Sequence, residues 1–113
     1  LMKAAQAIMT TDTYPKITDE VIQINRRKIK IYGIAKGSGM IAPNMGTMLS
    51  FIFIEASLIS NLLNILLKNN IEDSFNSISV DGDMSTSDTV VFFALGNTQL
   101  ANIGKKNQIF KKV

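Results

Sequence analysis

Apolar positions along this chain follow periods that switch several times. Residues 1–9 carry Ala4, Ala5, Ala7 and Ile8, good helix formers or apolar face residues. They read as the end of a helix, and no capping residue precedes them. Thr10-Thr11-Asp12-Thr13 breaks that helix with side chains that compete for backbone hydrogen bonds. Pro15 confirms the break. From residue 20 the period becomes two. Val21, Ile22 and Ile24 mark a strand over 20–25. Ile29, Tyr32 and Ile34 alternate with Lys30 and Gly33 over 28–35, with Ile31 an exception. Asn25-Arg26-Arg27 lies between them, so the pair reads as a β-hairpin. Gly37-Ser38-Gly39 follows as a loop, and residues 40–43 are extended because the residue before a proline avoids the helical region.

The second half is more apolar. Residues 47–54 form a nearly continuous run with Met48, Leu49, Phe51, Ile52, Phe53 and Ile54. Short, aromatic and β-branched, it predicts a strand buried on both faces. Residues 57–68 carry Leu58, Ile59, Leu62, Leu63, Ile65, Leu66 and Leu67, a wide helical face with Ser57 as the expected N-cap. Asn69-Asn70 ends it, and 71–76 form a further helical turn. A short strand is expected over 77–80, a polar loop over 81–87, and a second buried strand over 89–95, stopped by Gly96. The order is helix, hairpin, strand, helix, strand, strand. It predicts one layered α/β or α+β sandwich with no linker and no repeat.

Bulk properties narrow the chemistry. The chain has 113 residues, one domain or a large part of one. The hydrophobic share of 46% suffices for a core. The net charge of +3 gathers in Arg26, Arg27, Lys28 and Lys30, and in Lys105, Lys106, Lys111 and Lys112. Those clusters sit at the hairpin turn and the chain end, so they read as solvated surface, and no nucleic-acid partner is expected. No apolar stretch is long enough to span a membrane, and no signal peptide is visible. Cysteine and histidine are both absent. That removes thiol catalysis, thiolate or imidazole zinc sites, and any Ser-His or Cys-His pair. No metal site is expected.

Two apparent motifs fail on their mechanics. Gly37-Ser38-Gly39-Met40-Ile41-Ala42 fits a dinucleotide pattern, with Glu55 downstream. That pattern needs a helix whose N-terminus faces the pyrophosphate, and Pro43, Asn44 and Gly46 forbid one. Asp81-Gly82-Asp83 resembles the start of a calcium loop. The positions that need glycine and glutamate hold Thr86 and Phe92.

A threonine nucleophile remains open to such a chain. If the bond before a threonine is cut, its new α-amine has a pKa of roughly 7.7–8.0 and serves as general base near neutral pH. The cut can be made by the threonine itself, whose hydroxyl attacks the preceding carbonyl to give an ester that water opens. Gly46 leaves room for that attack on Thr47, and a strand starting at Thr47 would hold the new terminus rigid.

Around this point the residues carry a resemblance. Ala7-Ile8-Met9-Thr10-Thr11-Asp12-Thr13, then Ala35-Lys36-Gly37-Ser38-Gly39-Met40-Ile41-Ala42-Pro43-Asn44-Met45, then Thr47-Met48-Leu49, then 80–89 are similar, in order, to motifs of the ornithine acetyltransferase family. These are the bifunctional glutamate N-acetyltransferases of arginine biosynthesis. The resemblance implies a partial unit of the self-processing aminopeptidase/ornithine-acetyltransferase-like fold. It implies cleavage between Gly46 and Thr47, with 1–46 ending an α chain and 47–113 beginning a β chain. Thr47 would be the nucleophile, carrying acetyl from N-acetylornithine to glutamate. Thr10 and Lys36 match substrate-binding positions, as does Thr47, and Lys36 would pair with a substrate carboxylate. Without the resemblance, Thr10 reads as a helix-ending hydroxyl and Lys36 as a solvated strand-end lysine. No prosthetic group is implied, although some members use acetyl-CoA as donor. The parent is expected to be a cytoplasmic α/β heterotetramer, and the isolated chain a homo-oligomer.

The pattern departs from the family at Gly46, where alanine is commoner. The family's oxyanion-hole Thr-Gly pair lies upstream of this region and further substrate contacts lie downstream, so the chain is expected to be a fragment without activity of its own. Two other readings stay open. One is a binding or structural module of the same fold. The other is an aminopeptidase-like N-terminal-nucleophile hydrolase, from which the motif over 36–45 separates the acetyltransferases.

Overall fold

A computed structural model describes residues 1–10, 12–37, 48–74 and 89–96. Two helices and four strands follow one another as α1 (Met2–Ala7), β1 (Lys16–Ile24), β2 (Arg27–Lys36), β3 (Leu49–Ile54), α2 (Ser60–Asn70) and β4 (Thr89–Ala94). The strands form one mixed sheet in the order β1-β2-β3-β4. β1 and β2 are antiparallel with Lys16 opposite Ala35, and β2 and β3 are antiparallel with Lys36 opposite Leu49. β3 and β4 run parallel, with Leu49 opposite Thr89. A parallel pair needs a crossover, and α2 lies within it. The α/β character expected from the alternating periods is therefore present.

The hairpin closes through a two-residue loop. Asn25 and Arg26 both take positive φ, 50° and 65°. That left-handed backbone matches the twist of the flanking strands. β1 begins at Lys16, earlier than the apolar alternation indicates. It is an edge strand, exposed over most of its length, and an exposed edge tolerates Lys16, Asp19 and Glu20 because charge there blocks pairing with another chain.

Successive strand side chains alternate between faces, so the register sorts the sheet into two. One face packs on α2. Ile24, Ile29 and Ile54 are almost fully buried there, joined by Ile31, Ala56 and Leu66. Ile22, Ile52, Leu58, Leu62, Leu63 and Phe92 pack around them. The other face carries an aromatic row. Tyr32 lies opposite Phe53, and Phe53 opposite Phe93. Their rings stack at centroid distances of 5.3 and 5.1 Å. α1 lies beside β1 and β2, with Ala5 fully buried.

Two expectations change. β3 and β4 are not buried on both faces: Phe51 and Phe53 are half-buried, and Phe93 is 41% exposed. The unbroken apolar run reflects two unlike faces, one under α2 and one carrying the aromatic row. Ser57 is not the N-cap of α2. The helix starts after Ile59 without a side-chain cap. Residues after β3 stay extended beside β4, where Leu95 N–H donates to the Ile54 carbonyl and Gly96 N–H to that of Ala56. Ser57 is thus still held alongside the sheet when a cap would be needed. After α2, residues 71–74 form a turn, with Ser74 N–H donating to Ile71 O at 3.4 Å. The strand expected over 77–80 and the loop over 81–87 lie outside the described residues.

Candidate active site

Of the residues singled out by sequence, Thr10 and Lys36 are described, and both lie near the end of the sheet where β2 finishes and β3 begins. Asp12 organises that end. Its side chain is fully buried. One carboxylate oxygen accepts from Lys16 Nζ at 2.6 Å and from Gly37 N–H at 2.8 Å. The other accepts from Thr10 N–H at 3.2 Å. Burial raises the Asp12 pKa, but the Lys16 bond and the two backbone bonds outweigh it and bring it down to about 2. The carboxylate is therefore ionised at neutral pH, and all three bonds are charge-assisted.

Gly37 continues directly from Lys36, the last residue of β2. Its φ is +133°, a conformation that side-chain-bearing residues rarely adopt. A Cβ there would lie 3.3 Å from the Cα of Met48. The two ends of the 38–47 segment are thus brought together, with Gly37 at one end and Met48 at the other. Lys36 pairs with Leu49 across the same boundary.

Thr10 is exposed and Lys36 half-buried. The N–H of Thr10, and that of Gly37 next to Lys36, share one carboxylate. Among the described residues, the Lys36 ammonium has no carboxylate partner. Thr47 and Gly46 lie outside the described residues. Covalent geometry alone ties Thr47 to Met48, since consecutive Cα atoms are about 3.8 Å apart.

The sequence gives Asp12 no role beyond its place in the motif over 7–13, as a carboxylate inside a polar helix break that reads as local hydrogen bonding. That reading accounts for the bond from Thr10 but not for the one from Gly37, 25 residues away. A separate apolar groove of about 660 Å³ opens between the sheet and α2, lined in part by Ile31, Gly33, Ile52, Leu66 and Phe92. None of Thr10, Asp12 and Lys36 lines it.

Comparison with known proteins bears on the whole chain. The ArgJ family model matches residues 1–113. The chain belongs to the ArgJ family. A protein of Bradyrhizobium diazoefficiens named arginine biosynthesis bifunctional protein ArgJ is 52% identical over 95 residues, covering 84% of this chain and 23% of that protein. Its namesake in Bartonella henselae is 46% identical over 115 residues, covering 98% of this chain and 28% of the relative. A mitochondrial ArgJ of Heterostelium pallidum is 51% identical over 96 residues, covering 85% and 22%. The chain thus spans about a quarter of the length of the curated relatives it matches. ArgJ membership agrees with the motifs around Thr10, Lys36 and Thr47.

Proposed function

We propose that this chain is the junction segment of an ornithine acetyltransferase, which moves acetyl from N-acetylornithine to glutamate through an acetyl-threonine. The observation that carries the reading is the shared carboxylate. Asp12 binds the N–H of Thr10 and of Gly37. It thereby gathers the two substrate-binding candidates at the sheet end where Met48, the chain neighbour of Thr47, packs on Gly37.

The chemistry has two stages. In processing, the Thr47 hydroxyl attacks the Gly46 carbonyl carbon. The Gly46–Thr47 amide breaks, an ester to the hydroxyl forms, and the nitrogen becomes the α-amine. Water then opens the ester, leaving a Gly46 carboxylate and a free Thr47. In transfer, the α-amine takes the hydroxyl proton as the Thr47 oxygen attacks the acetyl carbonyl of N-acetylornithine. The proton passes to the departing ornithine nitrogen. The α-amine of glutamate then attacks the acetyl ester, and the hydroxyl is restored. Lys36 offers a cation to a substrate carboxylate, a charge-assisted contact that fixes the substrate rather than reacting. The reading invokes no prosthetic group. In members that use acetyl-CoA, its thioester acetylates the same hydroxyl. The working enzyme is a cytoplasmic α/β heterotetramer with the self-processing aminopeptidase-like fold. The isolated chain, lacking the family's oxyanion donors, is inactive.

Thr47→Ala in the full-length enzyme tests the reading. Both cleavage and acetyl transfer are expected to disappear, read by denaturing mass spectrometry and by N-acetylglutamate formation. Retained transfer in that variant overturns it. Thr47→Ser keeps a hydroxyl and an α-amine and is expected to retain partial function.

A further inference from the structure

We propose that Asp12 is the positioning residue of the substrate site, holding Lys36 in place through the backbone of Gly37 and registering it against Thr10. The inference rests on the assignment of Lys36 to substrate binding and gives a role to Asp12, which lies inside the motif over 7–13 but to which the resemblance attaches no function. Three features support it. The Asp12 side chain has no exposure, so water does not compete for its oxygens. Its bond from Gly37 N–H is short, 2.8 Å, and crosses 25 residues of chain, whereas the bond from Thr10 N–H spans two. A carboxylate that joined only its own neighbours would end a helix; this one joins the helix end to the strand end. Gly37 also holds an unusual φ of +133° against Met48. Glycine takes this φ without steric cost and leaves the peptide free to turn, and the bond from its N–H to the Asp12 carboxylate holds it in one orientation.

The bond to Gly37 has no direct bearing on the reacting atoms. Its loss frees the peptide that follows Lys36, lets the ammonium swing, and removes a preorganised cation from the substrate carboxylate. The effect therefore falls on binding and passes through Lys36. Lys36→Met forfeits the same contact outright. Loss of one charge-assisted hydrogen bond corresponds to roughly a tenfold to hundredfold rise in KM where chemistry is slow.

A double-mutant cycle in the full-length enzyme decides the matter, with N-acetylornithine as the varied substrate. Asp12→Ala is expected to raise KM about tenfold with kcat changed less than about threefold, a pattern that marks lost uniform binding. Asp12→Asn keeps one acceptor oxygen and the side-chain volume, and is expected to rescue part of that loss. The Asp12→Ala, Lys36→Met double variant is expected to bind no worse than Lys36→Met alone. Additive losses in the double variant overturn the proposal, because Asp12 then acts independently of Lys36. Should Asp12→Ala fail to accumulate as folded enzyme, the cycle is run with Asp12→Asn, and an unchanged KM in that variant overturns it equally. A Lys36→Met enzyme with unchanged KM brings down the Lys36 assignment itself, and the role of Asp12 with it. That outcome differs from additivity, in which Lys36→Met alone is impaired.

Discussion

The Gly37 backbone lies against Met48 so closely that a Cβ on Gly37 would sit 3.3 Å from the Met48 Cα. Ten residues separate them in sequence, and those ten include the proposed scissile bond. The contact closes the segment at its base, because Lys36 and Leu49 are already paired as neighbouring strand residues. Glycine is required twice over, for its φ of +133° and for the space. Gly37→Ala is expected to destabilise the fold by about 1–3 kcal/mol, the usual scale for forcing a side chain into such a conformation. A denaturant midpoint equal to that of the parent sequence would contradict it.

How much of this was legible beforehand differs by element. Val21, Ile22, Ile24 and the alternation after Lys28 foretold the hairpin, because half-buried antiparallel strands write their faces into the sequence with period two. The start of β1 at Lys16 was not legible, because an edge strand is selected for charge as well as for burial. The two faces of β3 were hidden for a different reason. Phe51 and Phe53 occupy the less covered face, yet their apolar character makes the run unbroken. Ser57 carries a capping side chain in a suitable place, but hydrogen bonding beside β4 moves the N-cap two residues on, to Ile59. Thr10 and Lys36 are candidates through motif likeness, not through any local physical signal. Asp12 escaped because its decisive bond is to Gly37, and nothing in a single sequence announces a contact 25 residues away.

Acid should weaken the fold through Asp12. Its folded pKa, about 2, lies below the ordinary value of 3.8, so the unfolded chain binds its proton first. The contribution is therefore complete above pH 4 and is lost as pH falls from about 4 towards 2. It amounts to at most about 2.5 kcal/mol, less to the extent that solvent screens Lys16, which is 30% exposed. Unfolding midpoints measured across that window should fall more steeply for the parent sequence than for Asp12→Asn. Parallel curves would exclude the contribution.

The hairpin turn is open to improvement. Arg26 holds φ at 65° without the freedom of glycine or the local hydrogen bonding of asparagine. Arg26→Gly creates an Asn-Gly pair, the favoured sequence for a turn with positive φ at both positions. Relief of about 1–2 kcal/mol of left-handed strain outweighs the roughly 0.5–1 kcal/mol entropic cost of glycine. The melting temperature should rise, and a fall would show that Arg26 contributes a contact worth more than its strain.

The isolated chain should remain uncut between Gly46 and Thr47. Attack by the Thr47 hydroxyl places negative charge on the Gly46 carbonyl oxygen, and losing a single donor to such an oxyanion typically costs about 10²–10³ in rate. The chain has no histidine or cysteine to act as base, and the α-amine does not exist until the bond breaks. One species near 12.4 kDa by denaturing mass spectrometry is the expected result. Two species dividing after Gly46 would show that local geometry suffices.

The isolated chain should also associate with itself through the aromatic face of the sheet. Tyr32, Phe53 and Phe93 stack in register across β2, β3 and β4. Phe93 is 41% exposed, Leu95 40%, and Val21 on the same side of β1 is 58% exposed. Single exposed apolar residues are ordinary, but a partly exposed aromatic row continued by exposed Phe93 and Leu95 is a surface that favours burial against another copy. The row ends at β4, the last of the described strands in the sheet, whose apolar side chains lack the charges that protect β1. Light scattering of the isolated chain at micromolar concentration should therefore report a mass above that of a monomer. Phe93→Glu places a charge at the exposed end of the row and should shift the distribution towards monomer, without touching the isoleucine core beneath α2. A parent chain that is monomeric under those conditions would sink the prediction. An oligomer unaffected by Phe93→Glu would move the interface elsewhere, with the apolar groove beside α2 the next surface to test.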